Sequence, residues 1–130
     1  MAQGSILIVD DNPENLKLML AILAPFSYDL RTASDGIEAL TLVASSAPDL
    51  LLLDLQLPGL DGLTVARRLK SDPTRRHIPI VAVTAYAMKG DEGKARAAGC
   101  DGYMTKPVDK RVLRNLVAAL LDARPLAANR

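Results

Sequence analysis

The sequence predicts an α/β fold in which helices cover both faces of a mainly parallel β-sheet. Its 130 residues suit one domain, and ordinary shares of hydrophobic (49%) and charged (24%) residues argue against a disordered chain. Short apolar runs alternate five times with segments of helical periodicity. Because strand–helix–strand units connect by right-handed crossovers, this alternation predicts parallel strands with a helix between successive strands.

Five short segments predict the strands. Three are almost wholly apolar, residues 5–10 (SILIVD), 50–54 (LLLLD) and 78–84 (IPIVAVT), which is typical of strands buried on both faces. Two are more polar, residues 28–33 (YDLRTA) and 101–106 (DGYMTK). We therefore expect the apolar three in the middle of the sheet and the other two at its edges.

The first three helices each begin at a residue that can cap them. Asn12, followed by Pro13, predicts the start of the first helix, Ser34 or Asp35 that of the second, and Asp61 that of the third. Apolar residues then recur at helical spacing on one face of each helix: Leu16, Met19, Leu20 and Leu23; Ile37, Leu40 and Ala44; and Leu63, Ala66 and Leu69.

The last two helices differ in their predicted stability. A helix that starts at Asp109 has a clear apolar face, formed by Val112, Leu113, Leu116 and Leu120. The fourth helix, over roughly 88–98, contains Gly90 and Gly93, and a glycine inside a helix costs about 0.8–1 kcal/mol relative to alanine. It has little to bury beyond Met88 and alanines, so we expect it to be the least stable helix. Its glycines either make it movable or allow close packing.

Composition also bears on location and partners. No apolar run reaches the roughly eighteen residues that suggest a membrane span, and the N-terminal residues lack the pattern of a secretory signal. The lone Cys100 excludes a cysteine-rich metal site and fits a reducing cytoplasm. The basic stretch 67–77 comes without a helix-turn-helix pattern or interleaved aromatics. We therefore expect a cytoplasmic domain with no direct contact to nucleic acid or membrane.

Polar side chains stand where the apolar strands end. The first strand ends in Asp10 and Asp11, the third in Asp54, the fourth in Thr84 and the fifth in Lys106. In a parallel sheet these ends share one edge, where ligands of open α/β sheets bind. The sequence therefore predicts that three carboxylates, a hydroxyl and an ammonium group lie together there.

This group of side chains indicates phosphoryl chemistry. Three close carboxylates repel one another, which raises at least one pKa, and a hard divalent cation relieves that repulsion. Oxygen ligands without histidine or cysteine favour Mg²⁺. Lys106 and Thr84 could bind phosphoryl oxygens, and Asp54 is a candidate nucleophile. The alternative is that the acids are solvated or cap helices, which we favour for Asp61 and Asp109.

Four motifs together resemble the response-regulator receiver domain of two-component and phosphorelay signalling: LIVDDN, LLLLDLQLPGLDG, VAVTAYA and GYMTKP. The resemblance covers about residues 5–122, in matching order and spacing. It implies a flavodoxin-like, doubly wound sheet of strand order 2-1-3-4-5 with five helices. It also implies a receiver domain over residues 1–122, and we expect a frayed tail over 123–130.

The resemblance assigns roles at the acidic end of the sheet. Asp54 corresponds to the phosphoacceptor. Asp11 and Asp54 would ligate Mg²⁺ (or Mn²⁺ in its place) by their carboxylates, the Gln56 backbone carbonyl would be a third ligand, and Asp10 would act mainly through bound water. Gln56, two residues beyond the acceptor, occupies a variable position that we expect to influence the phosphoryl lifetime.

The resemblance also implies a switch. Lys106 would pair with the phosphoryl group, and the Lys106–Pro107 peptide bond would be cis. Thr84 would move toward the phosphoryl oxygens while the aromatic Tyr103 turns inward. Tyr86, two residues beyond the threonine, is a second position expected to influence phosphoryl lifetime.

The predicted function is therefore a signalling module and not an enzyme, except that it promotes its own phosphorylation and dephosphorylation. The donor would be the phosphohistidine of a histidine kinase or a histidine phosphotransfer protein. The target would be a protein that binds the face of helix four, strand five and helix five, and the chain would be a monomer or a weak dimer. Similarity to stand-alone and hybrid-kinase receivers leaves open whether the chain is complete or an excised domain.

Three other functions fit the sequence less well. An aspartyl-phosphate phosphatase of the haloacid-dehalogenase type needs D-x-D on its first strand, whereas this strand ends in adjacent Asp10 and Asp11. A receiver-like adaptor that works without phosphorylation usually lacks an acid, the threonine or the lysine. A flavodoxin-like electron carrier needs a flavin-phosphate loop after the first strand, and DDNPEN does not supply one.

Overall fold

A computed structural model describes residues 4–85 and 89–122 of the chain. Five parallel strands form one sheet in the order β2-β1-β3-β4-β5, with a helix after each strand. The elements are β1 (Ser5–Val9), α1 (Pro13–Leu23), β2 (Asp29–Ala33), α2 (Gly36–Ser45), β3 (Leu50–Asp54), α3 (Gly62–Lys70), β4 (Ile80–Thr84), α4 (Asp91–Ala97), β5 (Gly102–Thr105) and α5 (Lys110–Asp122). The predicted fold class and strand order are confirmed.

The sheet separates two apolar layers, and the four leucines of β3 contribute to both. Because successive side chains of a strand point to opposite faces, Leu51 and Leu53 pack with α2, α3 and α4, while Leu50 and Leu52 pack with α1 and α5. All four are at most 1% exposed. The three apolar strands form the centre of the sheet, and the two more polar strands form its edges, as the sequence predicts.

Four of the predicted helix starts are confirmed by hydrogen bonds. Asn12 accepts from the Glu14 backbone N–H, and Asp61 accepts from the Thr64 N–H, each at 2.9 Å. The second helix is capped by Asp35 rather than Ser34. The Asp109 carboxylate accepts from the first turn of α5. These side chains satisfy backbone N–H groups that have no partner within the helix.

Two predicted helix faces are partly wrong. In α2, Ile37 is 61% exposed and Ala44 is also exposed, and the buried residues are Gly36, Ala39 and Val43. The reason is close packing at Gly36, where an added Cβ would lie 2.6 Å from the Leu60 carbonyl oxygen and 2.9 Å from Val65. Small residues therefore face α3, and Ile37 is turned toward solvent.

The predicted face of α5 is shifted in the same way. Val112 is half exposed, whereas Leu113, Val117 and Leu121 are the buried residues, with Leu116 and Leu120 partly buried at the margin. The period of the apolar stripe agrees with the prediction, but its orientation depends on how α5 lies against the sheet and α1, which the periodicity leaves open.

The fourth helix is shorter than predicted. It spans Asp91–Ala97 and follows Gly90, whose φ of +90° places it in the left-handed region before the helix. Only Gly93 is therefore a glycine inside the helix, and nothing lies within 4 Å of a Cβ added there. The close-packing explanation is wrong for Gly93. Met88, the predicted start, lies outside the described residues.

Strands β1, β2, β4 and β5 are one or two residues shorter than predicted. β4 begins at Ile80, because the Ile78 N–H bonds to the Arg75 carbonyl in the preceding turn and Pro79 has no N–H. Within 4–85 and 89–122, no helix combines the length and the apolar character that a membrane crossing requires.

Candidate functional site

The five predicted site residues at the strand ends lie together at the carboxyl edge of the sheet. Asp10 and Asp11 follow β1, Asp54 ends β3, and Thr84 ends β4, one strand further along. One carboxylate oxygen from each of the three aspartates lies within 4.8 Å of the others. Lys106, directly after β5, reaches across to two of them.

Lys106 connects the two buried carboxylates. Its Nζ donates to Asp10 Oδ2 at 2.8 Å and to Asp54 Oδ2 at 3.2 Å. Asp10 is fully buried and Asp54 is 3% exposed. Burial lowers the pKa of Lys106, but the hydrogen bond and charge of Asp10 and Asp54 outweigh it, so that the pKa is raised above its ordinary value. The ammonium group therefore stays charged and compensates the buried acids.

The pKa of the Asp54 carboxyl is raised, mainly because burial disfavours its charged form. The negative charge of Asp10 raises it further. The Gln56 backbone N–H, which donates to Asp54 Oδ1 at 3.0 Å, and the Lys106 ammonium both lower it and offset part of the effect. Repulsion between carboxylates, the cause expected from the sequence, is thus real but secondary to burial.

Asp10 and Asp11 differ in their surroundings. Asp10 Oδ1 accepts from the Asn12 backbone N–H at 2.9 Å and its Oδ2 accepts from Lys106, so both of its oxygens have protein donors. Asp11 is exposed at the mouth of the site. Both oxygens of Asp54 are engaged in the same way, by the Gln56 N–H and by Lys106, so the exposed Asp11 is the carboxylate most accessible to a cation.

The Gln56 side chain makes a contact that the sequence did not predict. Thr84 Oγ1 donates to Gln56 Oε1 at 2.8 Å, and the Ala85 backbone N–H donates to the same oxygen at 3.3 Å. Thr84 itself is fully buried. The resemblance implies that the Gln56 backbone carbonyl is a metal ligand and that this variable position influences the phosphoryl lifetime, but it names no partner for the side chain. Its side-chain contact depends on β3 and β4 being neighbours, which no local pattern near Gln56 signals.

Tyr103 lies on β5, away from the carboxylates. It is partly buried against the apolar layer that contains α3 and α4. Burial and the charges of Asp91 and Glu92 raise the pKa of its phenol. It lines a groove of about 380 Å³ with six other residues, which are Glu92, Met104, Thr105, Pro107, Asp109 and Val112. The Lys106–Pro107 bond is cis, as the resemblance implies. Tyr86 lies outside the described residues.

Cys100 and His77 lie away from the site. Cys100 is buried, and burial raises the pKa of its thiol to about 11. It is therefore an inert packing residue at neutral pH. His77 is exposed in the connection before β4.

The donor set fits a hard divalent cation. Asp10, Asp11 and Asp54 offer only carboxylate oxygens, and together they carry more negative charge than the single Lys106 compensates. Oxygen ligands of this kind suit Mg²⁺ and Mn²⁺.

Comparison with protein families decides the class of this molecule. Residues 6–118 match the response regulator receiver domain. The chain belongs to this family. Its sequence is 43% identical over 120 residues to the polar-differentiation response regulator DivK of Brucella anthropi and, equally, to DivK of Brucella abortus. The match covers 92% of this chain and 98% of each relative.

Solved structures agree with this assignment. The receiver domain of a signal transduction histidine kinase from Syntrophus aciditrophicus is 33% identical, with a TM-score of 0.85, over 92% of this chain and 90% of that one. The receiver domain of the sensor histidine kinase PA1611 from Pseudomonas aeruginosa, solved with a magnesium ion in its active-site cleft, is 32% identical. Its TM-score is also 0.85, over 92% of this chain and 98% of that one.

The chain is therefore a receiver domain of two-component signalling. Receiver domains are signalling switches rather than classical enzymes, and they work with histidine kinases and downstream targets. The relatives include both stand-alone regulators and domains of kinases.

Proposed function

We propose that this receiver domain accepts a phosphoryl group on Asp54 from a phosphohistidine of a histidine kinase or histidine phosphotransfer protein. The observation that carries the proposal is the ammonium of Lys106, which bridges Asp10 and Asp54 at 2.8 and 3.2 Å beside a third carboxylate. An aspartate held at a strand end next to a fixed cation is suited to phosphoryl transfer.

In the proposed reaction, a carboxylate oxygen of Asp54 attacks the phosphorus of the phosphohistidine. The P–N bond breaks, its electron pair stays on the imidazole, and an acyl phosphate forms on Asp54. Lys106 stabilises the negative charge of the phosphoryl oxygens, because its ammonium already lies 3.2 Å from the acceptor carboxylate. The backbone N–H of Gln56 orients that carboxylate through Oδ1.

Asp11, Asp54 and the Gln56 backbone carbonyl are the proposed Mg²⁺ ligands, with Mn²⁺ as a substitute. Asp10 contributes through bound water in this proposal, since Lys106 holds its Oδ2 more closely (2.8 Å) than it holds Oδ2 of Asp54 (3.2 Å). When bound, Mg²⁺ supplies positive charge for the acceptor and phosphoryl oxygens. The magnesium in the cleft of the PA1611 receiver supports this assignment.

The signal leaves the site through Thr84 and Tyr103 in this proposal. Thr84 moves toward the phosphoryl oxygens, and Tyr103 changes its position on the face of α4, β5 and α5. That face already contains a groove with exposed Val112 and acidic Glu92 and Asp109, to which a downstream protein would bind. The change is a shift between pre-existing conformations, driven by the new contacts of the phosphoryl group.

Other expectations remain predictions. They are a receiver domain over residues 1–122, a monomer or weak dimer, a cytoplasmic location and the absence of direct nucleic-acid binding. The predicted frayed tail, residues 123–130, lies outside the described residues.

Intact-mass analysis after treatment with acetyl phosphate tests the proposal. Wild type should gain one phosphoryl group when Mg²⁺ is present and little without it, and Asp54→Asn should gain none. Asp61→Asn is the matched control. Asp61 is an exposed residue that caps α3, so its substitution should leave labelling unchanged. Equal labelling of wild type and Asp54→Asn would contradict the assignment of Asp54.

A further inference from the structure

We propose that the Gln56 side chain is a latch, which holds the Thr84 hydroxyl in its resting position until a phosphoryl group competes for it. The inference rests on the proposed function, because it concerns how the same site is switched. It makes Gln56 a positioning residue that acts through Thr84, a role separate from that of its backbone carbonyl.

The hydrogen bonds fix the orientation of the Gln56 amide. Its Oε1 lies 3.3 Å from the Ala85 backbone nitrogen, and a backbone N–H can only donate. The amide atom that faces Ala85 must therefore be the oxygen. The same oxygen lies 2.8 Å from Thr84 Oγ1, so the Thr84 hydroxyl must donate its hydrogen to Gln56.

The latch is attached to the phosphoacceptor. The Gln56 backbone N–H donates to Asp54 Oδ1 at 3.0 Å, while its side chain holds Thr84 on the neighbouring strand. One residue therefore connects the carboxylate that would be phosphorylated with the hydroxyl that would respond. A phosphoryl group on Asp54 adds acceptor oxygens that compete for the hydrogen now donated to Gln56.

Burial makes this competition effective. Thr84 is fully buried, so its hydroxyl donates to a protein or phosphoryl acceptor without competition from bulk water. Gln56 is exposed, so its amide can be hydrated again when Thr84 leaves. The bond thus biases the resting state and can still be broken at modest cost.

The variant Gln56→Met tests the latch, because methionine has a similar length and no amide oxygen. Loss of the bond should raise the fraction of molecules in the switched conformation. The apparent affinity for beryllofluoride, a phosphoryl mimic, should then increase about three- to tenfold at saturating Mg²⁺, the range that one hydrogen bond supports. In metal-free protein, the NMR signal of the Thr84 methyl group should move toward its position in the mimic-bound wild type.

A Thr84→Val background supplies the control. Valine has no hydroxyl for Gln56 to hold, so adding Gln56→Met there should change the affinity for the mimic by less than twofold. A gain of the same size in both backgrounds would mean that Gln56 acts on the phosphoryl group directly, and it would overturn the latch.

Two further outcomes separate the latch from the proposed function. If wild type and Gln56→Met bind beryllofluoride equally and the Thr84 methyl signal is unmoved, the latch is wrong and the phosphorylation switch stands. If wild type neither binds the mimic nor takes a phosphoryl group on Asp54, both proposals are overturned.

Discussion

At the scale of single residues, Asp54 is held in a position that disfavours its own charge. It is 3% exposed, and burial outweighs the Lys106 ammonium and the Gln56 N–H, so the pKa of its carboxyl is raised. Lys106 stays charged because it contacts two carboxylates. The site therefore carries more negative charge than Lys106 compensates. A bound cation can neutralise the remainder and stabilise the charge that develops in phosphoryl transfer.

Asp54→Asn should stabilise the metal-free protein at neutral pH. The folded-state pKa of Asp54 is raised above the unfolded value near 3.8, so the folded state binds more protons between the two values. The wild-type free energy of unfolding consequently falls as pH rises from 3.8 through the folded pKa, and asparagine removes this loss. Urea unfolding in EDTA should show a larger advantage of Asp54→Asn at pH 7 than at pH 4.5. If the two proteins differed in free energy of unfolding by the same amount at both pH values, or if the variant were less stable at pH 7, the raised pKa would be contradicted.

At the scale of secondary-structure elements, β3 and α4 have opposite characters. β3 is buried on both faces through its leucines and gives Asp54 a rigid support. α4 has seven residues, buries only Ala95 of its own length and contains Gly93. Helices this short depend on tertiary packing, which α4 has little of, so we expect α4 to move readily in the proposed switch.

Replacing Gly93 and replacing Gly90 by alanine should change the free energy of unfolding in opposite directions. Gly93→Ala should stabilise the protein by about 0.8–1 kcal/mol, because alanine favours the helix and its Cβ meets nothing within 4 Å. Gly90→Ala should destabilise it by about 1 kcal/mol, because φ is +90° there and the left-handed conformation is costly with a Cβ. Urea denaturation of both variants measures this. A stabilising Gly90→Ala would mean that the turn before α4 differs from the one described.

At the scale of the whole molecule, the carboxyl and amino ends of the strands carry different groups of polar contacts. The carboxyl edge holds the acidic site. At the opposite edge, Lys70 Nζ donates to the carbonyls of Arg76 and Ile78 at 3.0 and 2.8 Å and to Asp101 Oδ2 at 3.0 Å. The same Asp101 oxygen accepts from the Ile80 N–H. These bonds connect the end of α3 with the starts of β4 and β5.

Lys70→Met should lower the free energy of unfolding by about 1 kcal/mol, since it removes a hydrogen bond to the part-buried Ile78 carbonyl and two exposed ones, to the Arg76 carbonyl and Asp101. Phosphorylation of Asp54 by acetyl phosphate should keep its wild-type rate, because Lys70 lies at the other end of the strands. Lys94→Met, at an exposed position on α4, is the matched control and should change stability by less than about 0.5 kcal/mol. A large loss of phosphorylation in folded Lys70→Met would show that the two edges are coupled.

Local sequence features determine the strands, several helix starts and the group of residues at the site. The apolar runs placed the strands, Asn12 and Asp61 placed helix starts, and the alternation of elements brought Asp10, Asp54 and Lys106 to one edge. Each of these inferences needs only neighbouring residues or the general rule for parallel sheets. The four motifs, by their resemblance to receiver domains, indicate the strand order and the family.

Only the tertiary structure decided which side chains touch. The bonds from Lys106 to Asp10 and Asp54 cross 96 and 52 residues, and that from Thr84 to Gln56 crosses 28. Such contacts depend on strand neighbours, register and helix rotation. For the same reason Ile37 and Val112, which the periodicity predicts on buried faces, are exposed. A periodic pattern gives the width of an apolar stripe, but packing against other elements sets its direction.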